Sequence, residues 1–158
     1  MPAYAQLDEN NIVINVITLD DFVIDKDLDL EFSGSDETYC IGLCKKIVQD
    51  DSSIWKLSSD NGEFRGNPAA VGYTYMERVA TLGVASTDIF IQRRTYPSWG
   101  ISTTSAEWVS PLGPQPTLTD EERSLNQYYD WDEYGYAYEN TGWVLRTTNE
   151  GSLTTNVI

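Results

Sequence analysis

Histidine does not occur in this chain. That absence removes the Ser-His and Cys-His nucleophile pairs and every zinc set that needs an imidazole. Cysteine is nearly absent, with Cys40 and Cys44 the two present. Two thiolates do not close a tetrahedral zinc site, and their four-residue spacing is not the C-x-x-C of redox motifs. On a helix they sit one turn apart on one face, where a disulfide would be strained. They read as small apolar thiols of a core. Basic residues are few: 10 Lys and Arg stand against 25 Asp and Glu, a net charge of −15. A phosphate backbone would be repelled by such a chain unless one face were locally basic. The isolated pairs Lys45-Lys46 and Arg93-Arg94 make a poor phosphate track, so no nucleic-acid partner is expected. No apolar run approaches the length of a membrane span, and the start MPAYAQLDEN has neither the basic nor the apolar region of a signal peptide. No G-x-x-x-x-G-K-[ST] or G-x-G-x-x-G occurs, so no nucleotide cofactor is expected, and no EF-hand spacing supports a metal.

What is present is aromatic and hydrophobic. Of the 158 residues, 41% are hydrophobic and 12% aromatic, including five tryptophans and ten tyrosines. This is enough for one packed domain with room for a small appendage. The spacing predicts a mainly β, α+β fold: a compact part over residues 1–94 with one short helix near 36–49, then a hairpin-rich part over 95–158 with a polar tail. AYAQLDENNIVINVITLD reads as a β-hairpin around DENN. Residues 20–37 read as an acidic loop leading to a helix capped by Ser35 or Asp36, with Cys40, Ile41, Cys44, Ile47 and Val48 on its apolar face. SIWKLSSDNGEFRG predicts a second hairpin, with a type I′ turn at Asn61-Gly62 and Trp55 and Phe64 flanking it. AAVGYTYM and DIFIQR read as paired strands joined by the long link ERVATLGVAST. TDEER reads as one helical turn capped by Thr119.

Two tryptophan-framed hairpins are expected after Arg94. Trp99 and Trp108 would form a cross-strand pair, contributing about 0.2–1 kcal/mol relative to Ala–Ala. Trp131 and Trp143 would frame an acidic, glycine-containing turn. Asp130, Asp132 and Glu133 lie among aromatics, as the carboxylates of a glycosidase do. Turns take acidic residues for local hydrogen bonds, however, and these read as solvated turn acids. The run YYDWDEYGYAY holds more aromatics than one small hairpin can bury. Tyr128, Tyr129, Tyr134, Tyr136 and Tyr138 are therefore candidate partner contacts, with Trp99, Arg93 and Arg94 beside them.

Several short motifs, in order, carry a resemblance. They are Y-A-Q-L-D-E-N-N-I-V at the start, Trp55 followed by Asn61, Gly62 and Arg65, then Gly72, Thr74 and Tyr75, then Asp88, Phe90 and Ile91. Tyr96-Pro97-Ser98-Trp99 with Trp108 follows, and YYDWDEYGYAYENTGWVL closes the series. In this order they resemble small virion-associated structural proteins of tailed bacteriophages, of the type that infects marine cyanobacteria. The chain departs from that pattern at ERVATLGVAST, at IQRRTYPSW and in the terminal GSLTTNVI. The resemblance implies a virion component without enzymatic activity or cofactor, most simply a decoration protein outside the capsid. Its partners would be other virion proteins, the major capsid protein or tail components, or further copies of itself. The alternatives are a tail- or fibre-associated module that binds a host glycan or a tail protein, and a fibre-assembly chaperone. The polar tail from Thr147 to Ile158 is expected to lie along a neighbour.

Overall fold

A computed structural model describes residues 1–78, 87–102 and 104–148. Among the described residues the chain is mainly β with three helices, an α+β fold. It divides into two units, Met1–Arg94 with Ile101–Trp108, and Thr95–Gly100 with Val109–Ile158.

The first unit is built around β1 (Ala3–Leu7). β1 pairs antiparallel with β2 (Val13–Thr18) on one side and with β5 (Ile54–Ser58) on the other. The β1–β2 connection is DENN, as expected. Asp8 Oδ1 accepts the amides of Asn10 and Ile12, and Asn11 takes the left-handed conformation that asparagine tolerates. Successive β1 side chains point to opposite faces. Tyr4 joins Leu19, Trp55, Leu57, Cys40 and Cys44 in one cluster, while Ala5 and Leu7 join Val13 and Phe90 in another.

α1 (Glu37–Val48) covers the Tyr4 face. Asp36 caps it by accepting the Tyr39 amide, and Gln49 ends it at φ 58°. Cys40 and Cys44 are fully buried free thiols, whereas Ile47 is exposed. On the other face lie β6 (Thr74–Arg78) and β7 (Thr87–Ile91), paired antiparallel as expected. Phe90 faces the β1 sheet, and Ile89 and Ile91 face Ala106 in a third cluster. Complete burial of Phe90 and Ile91 contributes about 1.5–3 kcal/mol each. Residues 79–86 of the long link lie outside the described residues.

Two expectations in this unit are corrected. The acidic stretch 20–37 is largely a hairpin, β3 (Phe22–Asp25) against β4 (Leu30–Ser33). Its inner face carries Val23 and Phe32, which rest on the α1 side of the core. SIWKLSSDNGEFRG is not a hairpin, because β5 pairs with β1 and Trp55 is buried in the Tyr4 cluster while Phe64 is 43% exposed. Residues 59–63 instead fold on side chains. Ser59 Oγ accepts the amides of Asn61 and Glu63, and of Asn61 and Gly62 only the glycine has positive φ. A type I′ turn needs both.

Two short strands, β8 (Gly100–Ile101) and β9 (Trp108–Val109), form a two-stranded sheet. Trp99 and Trp108 do not pack as a pair. Trp108 belongs to the Ile89–Ile91 cluster, with its indole N–H donated to Gln92 O, while Trp99 belongs to the aromatic core of the second unit.

The second unit contains α2 (Asp120–Ser124). Thr119 and Glu122 form the capping box that TDEER implied. β10 (Gln127–Trp131) and β11 (Trp143–Thr147) then pair with Trp131 directly opposite Trp143. The segment between them is a helix, α3 (Glu133–Glu139), in place of the expected turn. Asp132 caps it by accepting the Gly135 amide, and Asn140 closes it at φ 61°. Thr147 and Thr148 are described, but residues 149–158 of the polar tail lie outside the described residues.

Candidate functional site

Two places gather the polar and aromatic groups singled out above. The first is the second unit's aromatic core. Trp99, Trp131 and Trp143 pack mutually edge to face, with centroids 5.3–5.8 Å apart. Tyr96 and Tyr136 flank Trp131. Such pairs add about 0.5–1.5 kcal/mol each beyond burial.

Glu133 ties this core together. Its carboxylate accepts the Ser98 amide at 2.9 Å, the Ser98 hydroxyl at 2.7 Å and the Trp131 indole N–H at 2.7 Å. Desolvation opposes its ionisation, but the Trp131 and Ser98 hydrogen bonds outweigh that and hold its carboxyl below the usual range. Asp132 is the α3 cap, and Asp130 pairs with Arg146 at 2.8 Å. The three acids expected to be solvated turn residues are therefore structural ligands. Trp143 donates to Gly113 O. Among the described residues the Trp99 N–H has no oxygen or nitrogen acceptor.

The candidate tyrosines divide sharply. Tyr136 is part of the core, and Tyr129 is half-buried. Tyr134 and Tyr138, four residues apart on α3, touch at 4.8 Å between ring centroids and remain 66% and 76% exposed. Tyr128 is exposed on β10. Trp99 lies within the core, so its ring is already engaged. Arg93 and Arg94 are exposed in the first unit, with the Arg94 guanidinium 4.7 Å over the Trp108 ring. Together with Ile12, Thr74 and Met76 they border a groove of about 560 Å³.

The second place is a cleft of about 750 Å³ in the first unit, bordered by Glu37, Phe64, Asn67, Asp88 and Glu107 around Arg65. Arg65, itself at φ 53°, donates Nε to Asp88 at 2.9 Å and Nη1 to Glu37 and to Leu57 O at 2.8 Å each. Tyr75 donates its hydroxyl to the same Asp88 oxygen. Burial, and then this hydrogen bond, push the Tyr75 pKa up to about 12. The bond from Tyr75 and the nearby Arg65 charge hold the Asp88 carboxyl down despite partial burial. Burial works against the Arg65 charge, but Glu37 and Asp88 outweigh it and raise its pKa. The spacing of the sequence did not reveal this clamp. Its partners lie 28 and 23 residues away, at no helical or strand period.

Among the described residues, the carboxylates whose pKa is displaced are Asp25, Asp50, Asp88 and Glu133, and all four are lowered. A general acid working near neutral pH needs the opposite displacement. Among the described residues no group of three His, Cys, Asp or Glu side chains is arranged to hold a metal ion. No described helix is long and apolar enough to cross a membrane. Comparison with protein-family models, curated proteins and solved structures finds no match.

Proposed function

We propose that this chain is a non-enzymatic virion structural protein, a decoration protein on the exterior of a tailed-phage capsid. On this reading it docks on other particle proteins through the tyrosine face of its second unit. The observation that carries the docking surface is the Tyr134–Tyr138 pair, held rigidly on a capped helix yet mostly exposed. Rigid tyrosines add contact area at little entropic cost, which suits a protein interface. The virion setting rests on the ordered motif resemblance. In the fold those motifs supply the Asp8 turn, the Arg65–Asp88 clamp and the Ser98–Glu133 tie, so they bear on architecture.

The same exposed ring pair supports a second reading, a tail- or fibre-associated module that stacks on a host glycan. Counting this chain in purified particles separates the two. Shell symmetry expects on the order of hundreds of copies for a capsid decoration protein and about six to twelve for a tail component. Absence from finished particles would overturn both.

A further inference from the structure

The β3–β4 hairpin presents a face that nothing described in the first unit covers. Its inner side is fixed. Val23 packs against the Tyr4 cluster, Phe32 stacks on Tyr39 at 3.8 Å, and Tyr39 donates its hydroxyl to Asp25. At its base, Tyr4 donates to Gly34 O and Gly34 donates its amide to Asp21 O. The tip is closed by Asp25 Oδ1, which accepts the amides of Asp27 and Leu28. The hairpin is thus anchored, and its exposed residues are not those of a frayed end.

The outward positions of β3 would ordinarily be polar. Here they are Phe22 and Ile24, 64% and 68% exposed, with Leu28 at 59% in the turn, while Leu30, opposite Asp25, lies on the side of Phe32. Two large apolar side chains on the outward face of an anchored strand, with Leu28 beyond them in the turn, are exposed apolar surface of the kind that marks an interaction site. The hairpin is acidic: it carries Asp20, Asp21, Asp25, Asp27, Asp29 and Glu31 against Lys26, with the Met1 ammonium 3.3 Å from Asp21.

We propose that this face docks a partner protein presenting an apolar patch rimmed by lysine and arginine. The charge decides the occupant. A second copy of this chain would bring its own net −15 against the acidic hairpin, and an anionic lipid surface would be repelled in the same way. The surface is separate from the α3 tyrosines and does not depend on the virion reading.

The test uses the whole protein and three short synthetic peptides: an amphipathic leucine–lysine peptide, a leucine–glutamate analogue and a non-apolar serine–lysine analogue. Binding is measured at about 0.1 M salt, where charges act over about 10 Å. The leucine–lysine peptide should bind, with the other two at least about ten-fold weaker. Phe22→Ser with Ile24→Ser should weaken that binding about ten-fold, or about 1.4 kcal/mol. Tyr134→Ser with Tyr138→Ser should leave it unchanged. Asp27→Asn with Asp29→Asn, which leaves the apolar face intact, should weaken binding and flatten its salt dependence. The proposal is overturned if the Phe22/Ile24 variant, still folded by circular dichroism, binds like the wild type. Equal binding of the leucine–glutamate peptide, or an unchanged salt dependence in the Asp27/Asp29 variant, overturns it too. So does sedimentation showing that the wild type self-associates through Phe22 and Ile24.

Discussion

Arg65 links three elements of the first unit. Its guanidinium joins α1 through Glu37, β5 through Leu57 O and β7 through Asp88. Removing it leaves two carboxylates in one cleft without their counter-ion, a costlier state than never having had the pair. Arg65→Met should therefore destabilise the protein by about 2–3 kcal/mol, read as a lower urea midpoint. The acid response has a definite sign. Asp88 holds its proton less tightly folded than unfolded, so its contribution is complete above the ordinary carboxylate pKa, about 4. It is lost as the pH falls through the lower folded value. Asp88→Asn should accordingly lower stability at neutral pH and flatten its decline below about pH 4. The thiols give a second test. Burial raises the Cys40 pKa and pushes that of Cys44 up to about 11, and both side chains have no exposed surface. Without reductant, iodoacetamide should add nothing to the native protein at neutral pH and two groups after denaturation. An intact mass showing fewer than two added groups on the denatured chain would establish a disulfide.

At the scale of elements, a close backbone approach lies after Arg65. Gly66 sits at φ 70°, and a Cβ there would fall 2.4 Å from Ala106 Cβ and 3.3 Å from Ile89 Cβ. Gly62, at φ 80°, would bring its Cβ no nearer than 3.3 Å to Gly66 O. Gly62→Ala should cost about 1 kcal/mol from conformation alone. Gly66→Ala adds overpacking and should cost about 2–4 kcal/mol. Equal denaturation midpoints for the two variants would show that Ala106 does not press on Gly66. The same contrast explains which elements were legible in the sequence. β1–β2, α1 and β6–β7 announce themselves by period and by caps such as Asp36, because local hydrogen bonds and one-sided burial write a local pattern. The Trp55–Phe64 hairpin was misread because β5 finds its partner in β1, some fifty residues upstream, and a turn-like Asn-Gly pair carries no information about strand pairing. The β3–β4 hairpin was missed because its apolar residues point both inward and outward among acids, which blurs the alternation. α3 reads as a turn in the sequence because Asp132 and Glu133 suit a turn and a helix start equally well. Of the candidate contacts, the excess of tyrosines over buried space could be read. Which of them turn inward could not, since Tyr136 differs from Tyr134 and Tyr138 only in helical phase.

For the whole molecule, net charge governs how copies can crowd on a surface. At −15, neighbouring copies repel one another, and a contact made through tyrosines has no opposite charge to offset this. Screening supplies the relief, because the Debye length falls from about 10 Å at 0.1 M salt to about 3 Å at 1 M. On the proposed reading, purified protein should rebind to stripped particles more fully as salt rises. Tyr134→Ser with Tyr138→Ser should lower occupancy at every salt concentration while leaving the fold intact, since both rings lie outside the tryptophan core. Tyr136→Ser belongs to another class. It removes a ring packed 5.3 Å from Trp131 and should lower the unfolding midpoint of the isolated protein, which tryptophan fluorescence reads directly. Rebinding that strengthens at low salt would point instead to charge attraction, with the Arg93–Arg94 groove beside Trp108 as the contact. Unchanged occupancy of the Tyr134/Tyr138 variant across the salt series would remove the tyrosine face from the interface.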